Sequence, residues 1–369
     1  MFRWTIKSLV SEPLNFFLTS LVVGIALLLV IFFEAVFHGE SQKIIAYPQN
    51  INPDVWVMQR GVFNMHMATS FIWDWKKDRV EEVEGVADVT PILYLNSIVE
   101  AGSRHWFSFV VGLKQGNKRA GPWSMATGSS HPGKGEAIIP ELLGMIANVM
   151  LGDTIRIANK TFTIVGFSKD TFSMANSIAF ISYADLRDIM SLSGSDSYLL
   201  VDAEPGVDPS LLAQRIKENV SKVNALTSAE FIKNDRELAL QMGVELIGIM
   251  TIVGTCLAVS LVIFMLYMFM EKRRRDIAIL KALGFGKFAI ISSAIIQAFC
   301  ITMTGLVTAV ILMYTADFLT DAFYPQVSML ITPESLMRVG LVSLLIAVFA
   351  SLIPICQTMK VDPLLAFQR

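Results

Sequence analysis

Four stretches of the chain carry no charged residue and are long enough to cross a bilayer: Pro13 to Phe33, Leu246 to Met270, Phe288 to Ala316 and Val339 to Met359. A helix rising 1.5 Å per residue needs about 20 residues to span roughly 30 Å of hydrocarbon. Composition agrees, since 53% of residues are hydrophobic and only 17% charged, against about 25% charged in soluble domains. A plain cytosolic protein and a disordered chain are both excluded. The net charge of −2 gives no support for nucleic-acid binding. The apolar run of the first span is too long for a cleavable signal peptide and no small-x-small site follows Phe33, so it reads as a retained anchor.

Loop charge sets the expected orientation. Glu271-Lys272-Arg273-Arg274-Arg275-Asp276, with Lys281 and Lys287, lies between the second and third spans, whereas Asp317, Asp321 and Glu334 oppose only Arg338 between the third and fourth. Lys and Arg favour the cytoplasmic side. The expected order is therefore an N-terminal segment with the first span (1–37), an extracytoplasmic domain (38–243), the second span (244–270) and a cytoplasmic loop (271–287). The third span (288–316), a short outer loop (317–338), the fourth span (339–359) and a cytoplasmic tail (360–369) follow. Both termini then face the cytoplasm. Glu34 falls near the outer boundary, where it can reach water.

The expected fold is a membrane protein of four transmembrane α-helices, with a large α+β domain inserted between helices 1 and 2. In that domain Asp54–Met58, Tyr94–Val99, Trp106–Val111, Glu136–Ile139, Ser177–Ile181 and Ser197–Val201 read as strands. Thr154–Ile157 and Thr161–Phe167 form a hairpin turning at Ala158-Asn159-Lys160. Phe71–Glu84 reads as an amphipathic helix, Glu141–Val149 as a short one, and Pro209–Val220 as one capped by Asp208. Gln115–Gly135, rich in Gly, Ser, Lys and Pro, reads as a loop. From Ser228 a helical stalk is expected to run into the second span at Leu246, with no Pro or Gly cluster from Ala229 to Met242.

Catalytic chemistry finds no assembled residue set. Gly128-Ser-Ser-His-Pro-Gly133-Lys134-Gly135 has the spacing of a phosphate-binding loop but Gly135 where a magnesium-binding Ser or Thr is needed. Met65-His66-Met67 suits a soft metal in its donors, yet Met equally fills irregular gaps, and no second ligand cluster accompanies it. Cys256, Cys300 and Cys356 all lie in the apolar spans, so no disulfide framework is available. The spans hold no internal charge, which argues against a proton relay or ion pathway. No enzyme activity, catalytic residue, metal or cofactor is expected of the chain itself.

The loop from Glu271 to Gly284 is the remaining signal. It reads as a short helix with Ile277, Leu280 and Leu283 on one side and a glycine stop. Anchoring to lipid phosphates would need the charges alone; the apolar surface calls for a cytosolic protein partner.

Glu271-Lys-Arg-Arg-Arg-Asp-Ile-Ala-Ile-Leu-Lys-Ala-Leu-Gly284 resembles the E-[RK]-x-R-E-I-[GA]-[IL]-[LM]-[RK]-A-[LI]-G stretch of FtsX-like/MacB-type ABC transporter permeases of the type VII superfamily. Met359-Lys-Val-Asp362-Pro363-Leu-Leu365-Ala-Phe-Gln-Arg369 resembles their closing segment. Gly135-Glu-Ala-Ile-Ile-Pro140, Leu151-Gly-Asp-Thr-Ile-Arg-Ile157 and Phe162-Thr-Ile-Val-Gly-Phe167 are similar to their outer domain. Ser11-Glu12-Pro13 departs from the basic run usual before the first helix.

The resemblance implies a permease subunit that passes ATP-driven motion from a separate cytoplasmic ABC ATPase dimer, which binds the ATP and Mg, to the outer domain. Efflux, or extraction of lipid-modified substrates from the inner membrane, are the implied tasks. A receptor, or a regulator of a cell-wall hydrolase without transport, is the alternative. Glu271, Arg273, Arg274, Arg275, Asp276, Ile277, Leu280, Leu283 and Gly284 would form a coupling helix docked in an ATPase groove. Arg273–Arg275 would pair with acidic rim residues or membrane lipids, and Asp362, Pro363 and Leu365 would lie against the same subunit. A second permease copy, homo- or heteromeric, is implied; Gly254 and Ala258, four apart, allow close helix packing, either against that copy or within one subunit. A periplasmic adaptor and outer-membrane channel are further partners on the efflux reading.

Overall fold

The computed structural model describes residues 5, 7, 9 and 11–358, apart from 67–68, 115, 117–118, 174–176, 192–193 and 242–244. At 239, 245, 270, 274, 277, 346–347 and 349–358 only the backbone is described. The chain divides into two compact units, one of 1–39, 245–324 and 329–369, the other of 40–244 and 325–328.

The first unit is helical. It contains α1 (Pro13–Ile44) up to Gly39, and the helices Glu245–Lys272, Arg274–Ala282, Lys287–Phe323 and Pro333–Thr358. Among the described residues three helices, Pro13–Ile44, Leu246–Phe269 and Lys287–Phe323, are long and apolar enough to cross a membrane. The helix Pro333–Thr358 starts where Thr332 Oγ1 accepts the Ser335 N–H at 3.1 Å, with Pro333 in the first turn, where its missing N–H costs nothing. Val23, Leu27, Ile31, Val262, Leu266, Ile301, Ala309 and Met313 form the buried centre of this unit.

The second unit begins with α2 (Ala46–Ile51) and is built on one long strand. β1 (Val55–Gln59) and β2 (Ile72–Trp73) precede α3 (Asp74–Glu81), and the 16-residue β3 (Val86–Ala101) follows. β4 (Arg104–Leu113), β5 (Met125–Gly128), β6 (Glu136–Pro140), α4 (Glu141–Ala147), β7 (Thr154–Ile157), β8 (Lys160–Ser168) and β9 (Ser177–Ser182) come next. The unit closes with α5 (Tyr183–Ile189), β10 (Ser195–Asp196), β11 (Tyr198–Ala203), α6 (Pro209–Asn219), β12 (Val223–Thr227) and α7 (Ser228–Ala239).

The first half of β3 joins an antiparallel sheet of order β12-β1-β11-β3. Its second half enters a ring, because β3 pairs with β4 and β7, and the pairs β4–β9, β9–β6, β6–β8 and β8–β7 complete the circuit. A ring of strands leaves its members no open edge for unwanted pairing. β1 shows why the sheet reads as a run of apolar residues: Val55 and Val57 pack with α6, while Trp56 and Met58 pack with Phe231 of α7.

Several expectations are corrected. Ile72–Trp73 is extended because it pairs with Ser195–Asp196, so the helix starts at Asp74 rather than Phe71. The Gln115–Gly135 segment contains β5, which pairs with β8. α5 and β12 are additional elements. Asp208 caps α6 as expected, accepting from Ser210 and Leu211 N–H at 2.8 and 3.2 Å. The stalk helix is α7, and its expected passage into the span at Leu246 crosses 242–244, outside the described residues.

Candidate functional site

The basic loop folds as α9 (Arg274–Ala282), between α8 (Glu245–Lys272) and α10 (Lys287–Phe323), with α11 (Pro333–Thr358) last. Glu271 and Lys272 belong to the end of α8, and Arg273 makes the corner. Arg273 is 4% exposed, and its guanidinium lies 4.5 Å from the centroid of the Phe269 ring, a cation–π contact. Burial pulls its pKa down, and the carboxylates of Glu12 and Asp276 oppose that shift.

Gly284 stops the helix as expected. Its φ of 83° is the left-handed conformation that glycine adopts without strain. Phe285 N–H donates to the Leu280 carbonyl at 3.1 Å and Gly284 N–H to that of Lys281 at 3.0 Å, the paired bonds of a Schellman stop. Two carbonyls that the helix end would orphan are thereby satisfied.

The apolar residues divide differently from the sequence expectation. Leu280 is 6% exposed and packs inside its own chain, so it is corrected from an outward to an inward residue. Leu283 is 69% exposed, and Ile279, four positions earlier on the same side, is 41% exposed. The outward apolar pair is thus Ile279 and Leu283, flanked by exposed Arg275 and Asp276. Ile279 could have been found from its i, i+4 spacing to Leu283. Of Arg274 and Ile277 only the backbone is described, and both lie in the helix; Asp362, Pro363 and Leu365 fall outside the described residues.

Of the two alternatives for Gly254 and Ala258, the contacts seen are those within one chain. A Cβ on Gly254 would meet Phe33 Cδ2 at 3.3 Å and Leu29 Cδ2 at 3.8 Å, and Ala258 is 3% exposed, so this stripe is filled by α1 of the same chain. A tighter approach than at Gly254 lies elsewhere. A Cβ on Gly24 would stand 2.9 Å from the Gly305 carbonyl oxygen, and one on Gly305 would stand 2.7 Å from Val23 Cγ1. The hydroxyls of Ser20 and Thr304 bond beside it at 2.8 Å. Glu34 is 14% exposed at its side chain and pairs with Arg338 of α11 at 2.8 Å, so it is held by a partner rather than by water alone.

Of the remaining motifs, Gly133-Lys134 is followed by strand β6, whereas a phosphate-binding loop opens a helix. His66 Nδ1 lies 2.7 Å from Oδ1 of Asp235, a fully buried carboxylate of α7 that also accepts Met65 N–H at 3.0 Å. Met67 lies outside the described residues, and no group of three or more His, Cys, Asp or Glu suited to a metal occurs among the described ones.

Comparison with known proteins completes the picture. The sequence model described as FtsX-like permease C-terminal matches residues 248–363, and that described as MacB-like periplasmic core domain matches 16–219. An uncharacterized ABC transporter permease of Methanocaldococcus jannaschii is 24% identical over 228 residues, 58% of this chain, and the match spans 57% of that relative's length. The periplasmic region of MacB from Actinobacillus actinomycetemcomitans is 14% identical with a TM-score of 0.38, covering 53% of this chain and 98% of that one. The extracellular domain of the ABC-type transporter YknZ from Gram-positive bacteria is 10% identical with a TM-score of 0.37, covering 48% of this chain and 100% of that one.

Proposed function

The chain belongs to the FtsX/MacB-type family of ABC transporter permeases, and from that premise we propose that it carries ATP-driven conformational change from a cytoplasmic ATPase to its outer domain. α9 carries this reading: a nine-residue helix with a firm glycine stop, presenting Ile279 and Leu283 among charges beside two apolar helices. A lipid-facing anchor has no use for that composition, whereas a groove on a soluble ATPase does.

In this scheme four helices span the inner membrane with both termini cytoplasmic, and 38–243 is the extracytoplasmic insertion between the first two. The permease acts as a dimer on an ATPase dimer that holds the ATP and Mg. α1, at 32 residues, is about 48 Å long and exceeds the roughly 30 Å hydrocarbon layer, which favours a lever reaching beyond it. Apolar helices without internal charge favour transmission over passage of a polar substrate through the membrane. The outer domain then performs efflux with an adaptor and outer-membrane channel, or extracts lipid-modified substrates.

The test is the double substitution Ile279→Asp with Leu283→Asp, reconstituted with the partner ATPase. Full burial of such side chains is worth about 1.5–3 kcal/mol each. Losing both weakens docking on the order of a thousandfold. Expected are loss of co-purified ATPase and of stimulated ATP hydrolysis, with membrane insertion unchanged; full stimulation would refute the docking role.

A further inference from the structure

β4 and β9 run parallel, so their C-terminal ends emerge at the same edge of the sheet. There Leu113, Lys114, His131, Lys134, Tyr183 and Ala184 border a cleft of about 440 Å³, a volume ordinary for small-molecule sites. Its walls are fixed by polar contacts. Gly135 N–H donates to Asp185 Oδ2 at 2.8 Å and the Ser182 hydroxyl to the same oxygen at 2.5 Å, pinning the turn that carries Lys134 to the start of α5. Asp185 is only 5% exposed. Gly133 N–H donates to Glu136 Oε2 at 2.7 Å. The carboxylates of Asp185 and Glu136 are therefore occupied by backbone N–H groups of this turn.

The opposite wall is equally defined. Lys114 Nζ lies 4.8 Å from the centroid of the Tyr183 ring, whose hydroxyl donates to buried Asp196. Arg187, on the next turn of α5, is taken by Asp74 at 3.2 Å. Neither Lys114 nor Lys134 forms an ion pair among the described residues. Charged groups bordering the cleft are thus cationic, with Leu113 and Ala184 as apolar surface between them.

We propose that this cleft binds a small ligand with an anionic head, a phosphate or carboxylate, on a short apolar stem. Lys114, His131 and Lys134 meet the head through charge-assisted hydrogen bonds, and Leu113 and Ala184 receive the stem. The site belongs to the outer domain alone and stands independently of the coupling role of α9.

The full chain in lipid nanodiscs is titrated calorimetrically with phenylphosphate, inorganic phosphate and phenyltrimethylammonium, each against empty nanodiscs. Phenylphosphate binds, more weakly as salt rises, and Lys114→Gln and Lys134→Gln each weaken it about tenfold. Phenylphosphate binding tighter than phosphate supports head and stem together; equal binding supports the anion site with a free ion as its occupant. Failure of both anions, equal binding of the cation, or affinities unchanged in both variants would overturn the proposal. Lys134 sits on an exposed turn, so its variant retains the wild-type unfolding temperature and keeps the test open should Lys114→Gln be destabilised.

Discussion

Asp235 on α7 offers a sharp test of how the outer domain is held together. Its side chain is fully buried, and a single oxygen accepts both Met65 N–H at 3.0 Å and His66 Nδ1 at 2.7 Å. The neighbouring Asn234 amide donates to the Phe63 carbonyl at 3.3 Å, and Asn224 fixes that of Val62 at 2.8 Å. The segment from Val62 to His66 is therefore clamped to α7 and, through Asn224, to β12 by polar bonds beside an aromatic cluster. His66 meets Phe109 edge-on at 4.9 Å, and Trp56 stacks on Phe231 of α7 at 4.4 Å. Replacing Asp235 by Ala leaves two buried donors without their acceptor. Each such donor costs about 1–3 kcal/mol, and breaking a buried pair from one side about 3–5 kcal/mol. For a domain of this size about 2–4 °C of unfolding temperature accompanies each kcal/mol. The expected drop is on the order of 10 °C, read by tryptophan fluorescence of the full chain, with Asp235→Asn intermediate because its amide oxygen can still accept. A drop of under about 2 °C for Asp235→Ala would refute the clamp.

Two further outcomes follow from single contacts. Gly305→Ala should destabilise the helical unit by about 1–3 kcal/mol in detergent-titrated unfolding, since its Cβ would stand 2.7 Å from Val23 Cγ1. Gly340→Ala, whose Cβ meets only Leu306 Cδ2 at 3.7 Å, should be tolerated, and equal effects at the two sites would contradict the tight crossing. Asp208→Ala should lower the unfolding temperature at neutral pH, because bonds from the N–H groups of Leu211 and Ser210 hold that carboxyl below its ordinary pKa. A depressed acid stabilises above its unfolded pKa and loses the effect as pH falls through the folded one. The gap between variant and wild type should therefore close on acidification below about pH 4.

Three of the four expected spans, now the helices Pro13–Ile44, Leu246–Phe269 and Lys287–Phe323, were legible because a bilayer demands long charge-free runs, a constraint of composition rather than of partner. The hairpin at Ala158-Asn159 was equally legible from its turn residues. α5 escaped notice because its seven residues, Tyr183–Ile189, interleave Asp185, Arg187 and Asp188 with Leu186, too short a run to show a period. β5 was hidden in a Gly/Ser-rich segment, since its strand state comes from pairing with β8 and not from its own propensity. Within α9 the glycine stop could be read directly. Which apolar residues face outward could not, because that depends on what the rest of the chain buries; Leu280 turned inward and Ile279 took its place.

Coupling through α9 is tested most directly by Leu283→Cys in a chain with Cys256, Cys300 and Cys356 replaced by Ser. A membrane-impermeant maleimide should leave this thiol unlabelled in intact cells, label it in inverted vesicles stripped of ATPase, and label it poorly once the ATPase is restored. Labelling from outside intact cells, or labelling in inverted vesicles that the ATPase does not diminish, would contradict the account.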